Sequence, residues 1–241
     1  MIIKIGQLLV FNPNHKFNMP LQVLEAQSGA PGDTPVASLI ILHGLGADGR
    51  DFMPIAEQLD LSGLGAVRFL FPSAPSMPVT INGGYVMPAW YDLLTADLVR
   101  REDEAGLRQS QVSIEALIAG EKARGMPASR IVVAGFSQGC AMALMVGLRQ
   151  TEALGAIVGL SGYLPLADKL LVEHTAASLK TPVFMAHGSR DQVVTLARAT
   201  DSRDALLALG YSVDWHTYPV EHSVCPQEVA DLGVFLRRVL S

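Results

Sequence analysis

Ile131-Val132-Val133-Ala134-Gly135-Phe136-Ser137-Gln138-Gly139-Cys140-Ala141-Met142-Ala143-Leu144 passes from a β-prone apolar run, through G-x-S-x-G, into a helix-forming stretch. Glycine and serine are common, so the five-residue pattern alone is weak. Between a strand and a helix it predicts a sharp elbow that presents a serine hydroxyl at the carboxyl end of a sheet. Small residues on either side let the strand and helix approach closely. The free N–H groups of the helix start favour developing negative charge there. Ser137 is therefore the candidate nucleophile.

Outward from the elbow, apolar β-prone runs recur at 37–42, 67–71, 131–134, 156–160, 183–186 and 213–217. Helical patterns occupy 52–61, 103–124, 141–150, 196–209 and 227–240. Gly210 is a stop signal for the fourth of these, and Pro226 a start signal for the fifth. Such alternation predicts an α/β fold, a mostly parallel sheet with helices on both faces. A strand pair within residues 2–26 is expected to add an antiparallel edge. Residues 72–97 interrupt the alternation with four prolines and Gly83-Gly84. They read as an ordered loop, rich in methionine and aromatics, that lines a substrate site.

At 241 residues the chain suits one α/β domain, expected over 19–241. Residues 1–18 read as a peripheral extension or the product of an upstream start, since Met19 could begin a chain by itself. Apolar residues make up 49% and charged ones 17%, as strands buried on both faces require. The net charge of −5, with no basic run longer than an arginine pair, argues against nucleic-acid binding. No stretch approaches the roughly 18–20 apolar residues that span a bilayer. The apolar amino terminus lacks both a basic region before it and a small-residue cleavage site after it, so an unexported, cytoplasmic protein is expected. Cys140 and Cys225 have neither metal-binding nor redox spacing and read as free thiols.

A serine needs a base and an acid to orient that base. In this kind of sheet they follow in the order serine, acid, histidine. That order excludes His15 and His43 as the base. His216 lies inside a strand run, His187 ends one and reads as a packed residue, and His174 has no presenting element. His222, in the loop between the last strand and the last helix, is the candidate base. Asp191, in His187-Gly188-Ser189-Arg190-Asp191, lies just past a strand's carboxyl end, where such sheets place reactive groups. Its rival Asp168 abuts Lys169 in a polar segment that reads as solvated, Asp201 and Asp204 fall on a helix, and Asp214 falls in a strand. Two amides must also hold an oxyanion. Gln138, next after the nucleophile, supplies one, and Leu45 in Leu42-His43-Gly44-Leu45-Gly46 supplies the other. Met87 and Trp90 are the candidate substrate-binding residues.

These segments, with Phe71-Pro72-Ser73-Ala74-Pro75, Trp90-Tyr91-Asp92 and His222-Ser223-Val224-Cys225-Pro226-Gln227-Glu228, resemble the small carboxylesterases and acyl-protein thioesterases. This is the phospholipase/carboxylesterase family of the α/β-hydrolase fold. Residues 78–85 are similar to its bacterial carboxylesterases. The resemblance runs from about Leu39 to the carboxyl terminus. It implies a Ser137-Asp191-His222 triad, oxyanion amides at Leu45 and Gln138, an open apolar groove without a large lid, and no metal or organic cofactor. It implies hydrolysis of carboxylic esters, thioesters or lysophospholipids through an acyl-enzyme, with small-molecule or acylated-protein substrates. An apolar groove is also compatible with a homodimer. The alternatives are acyl-protein thioesterase as the main activity, or a hydrolase-like binding protein without catalysis. A peptidase or a dienelactone-type hydrolase would share the fold. No peptide-terminus recognition domain is apparent, and serine at 137 weighs against the second. The sequence departs from the family at Cys140, where glycine is usual, and in the extension before Met19.

Overall fold

The computed structural model describes residues 6–10, 21–30, 32–95 and 102–241. Six apolar runs expected as strands become β3 (Ala37–Leu42), β4 (Val67–Ser73), β7 (Ile131–Phe136), β8 (Ala156–Leu160), β9 (Val183–Gly188) and β10 (Val213–Tyr218). Every residue of β3, β8 and β9 is buried, as unbroken apolar runs covered on both faces demand. With β1 (Gly6–Val10) and β2 (Leu21–Gln27) they form one sheet of order β1-β2-β4-β3-β7-β8-β9-β10. The β1–β2 and β2–β4 pairs are antiparallel and all the others parallel. The expected antiparallel edge is therefore present. Of residues 1–18 only the strand Gly6–Val10 is described; Met19, His15 and the remainder of the apolar amino terminus lie outside the described residues.

The helices are α1 (Met53–Gln58), α2 (Glu104–Ala123), α3 (Gln138–Gly147), α4 (Ala167–Glu173), α5 (Leu196–Ala208) and α6 (Pro226–Leu240). Phe52, Ala56, Val229, Leu232 and Phe235 carry α1 and α6 onto one face of the sheet. Leu107, Ile114, the whole of α3, Leu170 and Leu206 cover the other. No residue of α3 is exposed, because it lies between the sheet and α2. Among the described residues no helix is long and apolar enough to cross a membrane.

The structure departs from the sequence reading in three places. Residues 72–97 are not all loop: β5 (Ser76–Val79) and β6 (Tyr85–Pro88) pair antiparallel as a separate hairpin. Pro78 and Pro88 argue against strands because they lack an N–H, yet a two-stranded ribbon has open edges where none is needed. Gly83 and Gly84, with φ of 66° and 80°, turn its tip. Second, α4 has no counterpart in the reading, since its seven residues are too few for a clear period. Third, α3 begins at Gln138 rather than at 141, because the elbow passes directly from strand to helix.

Candidate active site

Three loops at the carboxyl ends of β3, β7 and β9, with the loop after β10, converge on Ser137. The serine itself has φ 55° and ψ −116°, a strained backbone for any residue with a Cβ. The positions two residues to either side of it admit only glycine. A Cβ on Gly135 would lie 2.1 Å from the Gly139 carbonyl oxygen, and one on Gly139 2.1 Å from that of Leu42. The Ser137 N–H donates to the Leu160 carbonyl at 2.9 Å, which pins the tip to β8.

His222 Nε2 stands 2.8 Å from Ser137 Oγ, and its Nδ1 stands 2.7 Å from Asp191 Oδ2. A carboxylate only accepts, so Nδ1 carries the proton and Nε2 is left to accept from the serine hydroxyl. Asp191 is fully engaged. Its Oδ1 accepts the N–H groups of Val193 and Val194, each at 2.9 Å. The buried His187 lies 3.4 Å from Asp191 Oδ2, but its Nε2 meets the Val194 carbonyl at 2.7 Å. Burial lowers the His187 pKa and keeps the ring neutral, so it sets no second cation against Asp191. The imidazole of His222 also packs on Phe136, ring centroids 4.8 Å apart. Behind it, Val220 and Glu221 lie so close to Gly188 that a Cβ there would sit 2.3 Å from the Glu221 carbonyl oxygen.

The His43–Gly46 loop lies beside the elbow, where a Cβ on Gly44 would be 3.4 Å from that of Ser137. The N–H groups of Leu45 and Gln138 have no protein acceptor among the described residues. At Gln138 this follows from its place at the start of α3. His43 Nε2 accepts the Ala74 N–H at 2.9 Å, which places its proton on Nδ1, 2.7 Å from the Gly44 carbonyl. Burial lowers its pKa and favours that neutral form.

The two residues expected to bind substrate part company. Met87, half-buried on β6, reaches the same loop: its sulfur would be 3.6 Å from a Cβ on Gly46. Trp90 is only 2% exposed and donates its indole N–H to the His43 carbonyl at 2.9 Å. It lies under the loop and does not face the open side. Three other residues set aside from the sequence lie away from Ser137. His216 bonds to Asp214, His174 meets the Leu170 carbonyl, and Asp168 is exposed on α4.

Cys140 is buried, and burial pushes its thiol up to about 12, far from a thiolate at neutral pH. Its extra bulk is absorbed by two glycines. A Cβ on Gly159 would lie 2.8 Å from its sulfur, and one on Gly162 2.5 Å. Sequence reading missed Gly188, the Val193 and Val194 amides, and Glu228. The last is a buried carboxyl that closes a capping box with Cys225 at the start of α6, immediately after the His222 loop. Among the described residues no group of three or more His, Cys, Asp or Glu side chains could hold a metal ion.

Residues 26–240 match the model of the phospholipase/carboxylesterase family. The acyl-protein thioesterase 1 of Yarrowia lipolytica is 42% identical over 201 residues, 81% of this chain and 88% of that protein. Among solved structures, Arabidopsis thaliana SOBER1 is similar with a TM-score of 0.81 at 29% identity, over 85% of this chain and 99% of that one. Zea mays acyl-protein thioesterase 2 follows with a TM-score of 0.78 at 29% identity, over 90% and 99% of the two chains.

Proposed function

The chain belongs to the phospholipase/carboxylesterase family, and on that premise we propose that it is a serine hydrolase of carboxylic esters and thioesters, worked by Ser137, His222 and Asp191. The observation that carries this reading is the unbroken line from Ser137 Oγ through His222 to Asp191 Oδ2, at 2.8 and 2.7 Å, starting from a strained elbow.

In the first step Ser137 Oγ attacks the acyl carbonyl carbon as its proton passes to His222 Nε2. The carbonyl π bond opens to an oxyanion, which the Leu45 and Gln138 amides receive. Collapse of the tetrahedral species expels the alcohol or thiol, which takes the proton from His222. Water then repeats the sequence on the acyl-enzyme, releasing the carboxylic acid and restoring the serine hydroxyl. Asp191 keeps its charge throughout: it fixes the Nδ1–H tautomer and stabilises the imidazolium. The Val193 and Val194 amides hold that carboxylate in place.

Met87 is assigned to the acyl chain, supported by its place on the hairpin beside Gly46. Trp90 is assigned to support the loop, since its indole is buried. Acylated proteins are a second substrate class, favoured by the names of the curated relatives. Residues 19–241 form the catalytic domain in this reading, and 1–18 are peripheral, with Gly6–Val10 on the outer edge of the sheet. The protein is taken to act in the cytoplasm, without nucleic acid or cofactor, and to be compatible with a homodimer.

Kinetics over a series of acyl lengths, as paired oxygen esters and thioesters, test the reading. Turnover of both classes, with kcat/KM rising as the acyl chain lengthens, is expected. Cleavage of peptide amides with no cleavage of any p-nitrophenyl ester would overturn it.

A further inference from the structure

Two amides stabilise an oxyanion only if both point at one oxygen. Gln138 is held by a buried helix, but Leu45 sits on a loop between two glycines and needs an external reference. Residues 88–91 provide one. The Gly46 N–H donates to the Pro88 carbonyl at 2.9 Å, and the Trp90 indole N–H donates to the His43 carbonyl at 2.9 Å. These two bonds bracket Leu45. The same strip is fastened to the elbow by the Gln138 side chain, whose Oε1 accepts the Trp90 N–H and whose Nε2 donates to the Tyr91 carbonyl, both at 2.8 Å. On its far side the Trp90 carbonyl accepts the Ser110 hydroxyl of α2. The His43 ring packs on the indole with centroids 5.2 Å apart.

We propose that Trp90 and the Gln138 side chain are positioning residues, which set the spacing between the Leu45 and Gln138 amides through the strip 88–91. This rests on the assignment of those amides as the oxyanion donors. The circuit runs loop, indole, strip, amide side chain, elbow, and the residues it joins through the indole and the amide side chain, His43, Trp90, Tyr91 and Gln138, are all buried. Breaking it leaves a carbonyl or an N–H unpaired away from water and frees the loop to shift. Because the oxyanion exists only along the reaction path, the loss falls on kcat and not on substrate binding.

Trp90→Phe keeps an aromatic ring and removes the indole donor. Gln138→Met keeps the backbone amide and the side-chain length but removes both side-chain bonds. Each is measured for kcat and KM on a p-nitrophenyl ester, and for Ki of an alkyl boronic acid, which forms a tetrahedral adduct on an activated serine. A Ki does not depend on how much of the sample is folded. In each variant kcat should fall about tenfold or more, with KM within about twofold and boronate Ki weakened in step with kcat/KM. The double variant should lose less than the product of the two, because both cut one circuit. Unchanged kcat and Ki in either folded variant, or a raised KM alone, would overturn the proposal. If Trp90→Phe does not accumulate as folded protein, Gln138→Met decides by the same readings. Failure of the hydrolase reading itself looks different: the unaltered protein would not bind the boronate.

Discussion

Replacing Gly188 by alanine tests how the base is placed without touching any group that reacts. The added Cβ would sit 2.3 Å from the Glu221 carbonyl oxygen, where real Cβ atoms essentially never approach below 3.0 Å. The two must therefore separate by about 0.7 Å, the difference between those values. Glu221 adjoins His222, and the Ser189 and Arg190 amides tie the same segment to β9 through the Tyr218 and Val220 carbonyls. Most of the displacement thus passes to the imidazole. Directed wholly along the line from His222 Nε2 to Ser137 Oγ, it would lengthen the 2.8 Å bond to about 3.5 Å at most, beyond good geometry. A misplacement of about 1 Å costs on the order of 10²-fold, so kcat should drop about 10- to 100-fold, or roughly 1–3 kcal/mol of barrier. KM should stay within about twofold, because ground-state binding is untouched. The assay is p-nitrophenyl ester hydrolysis on protein whose melting transition shows it to be folded. A folded Gly188→Ala variant with unaltered kcat would refute the argument that this contact places His222.

Asp191→Asn keeps the shape of the acid but lets the imidazole take the wrong tautomer; kcat should fall by about 10⁴-fold, as in other triads, and a loss below tenfold would remove Asp191 from the mechanism. Glu228→Gln should change stability in a pH-dependent way. Burial raises the Glu228 carboxyl from 4.5 to about 7, so between these values the folded protein binds the proton more tightly than the unfolded chain. Stability of the unaltered protein therefore falls as pH rises across that window, and the glutamine variant, which can still accept the Cys225 N–H, escapes the loss. Denaturant titrations should show the variant gaining on the unaltered protein by up to about 3 kcal/mol between pH 5 and 8, and a gap that does not move with pH would contradict this. A chain beginning at Met19 loses the strand Gly6–Val10 but none of the site; its kcat/KM should stay within about twofold of the full chain's, and a large loss would make residues 1–18 part of the working domain.

The central sheet was legible because its signal is local. Unbroken apolar runs such as Ile131-Val132-Val133-Ala134 and Ala156-Ile157-Val158-Gly159-Leu160 cannot rest anywhere but between covered faces. The meeting of Ser137, Asp191 and His222 was legible because the order of elements fixes which loops share an edge, so the three could be proposed as neighbours before any distance was known. What could not be read was whatever depends on contacts between distant segments. The β5–β6 hairpin is concealed by Pro78 and Pro88, which are tolerated only because this ribbon has free edges. Trp90 reads as a candidate lining residue because aromatic residues in long loops often bind ligands. Its burial depends on Ser110, His43 and Gln138, three segments that meet only in the fold. The accommodation of Cys140 is of the same kind, since Gly159 and Gly162 carry no mark of what they face until β8 is laid against α3.

The most direct test replaces Ser137 by alanine and follows both hydrolysis and covalent labelling. In the unaltered protein a fluorophosphonate should label one residue, which peptide mass mapping places at Ser137. In the variant the label should vanish and p-nitrophenyl ester turnover should fall by several orders of magnitude, to about 10³–10⁴-fold above the uncatalysed rate. Near-normal hydrolysis by Ser137→Ala, or a label that maps to any other residue, would contradict the account.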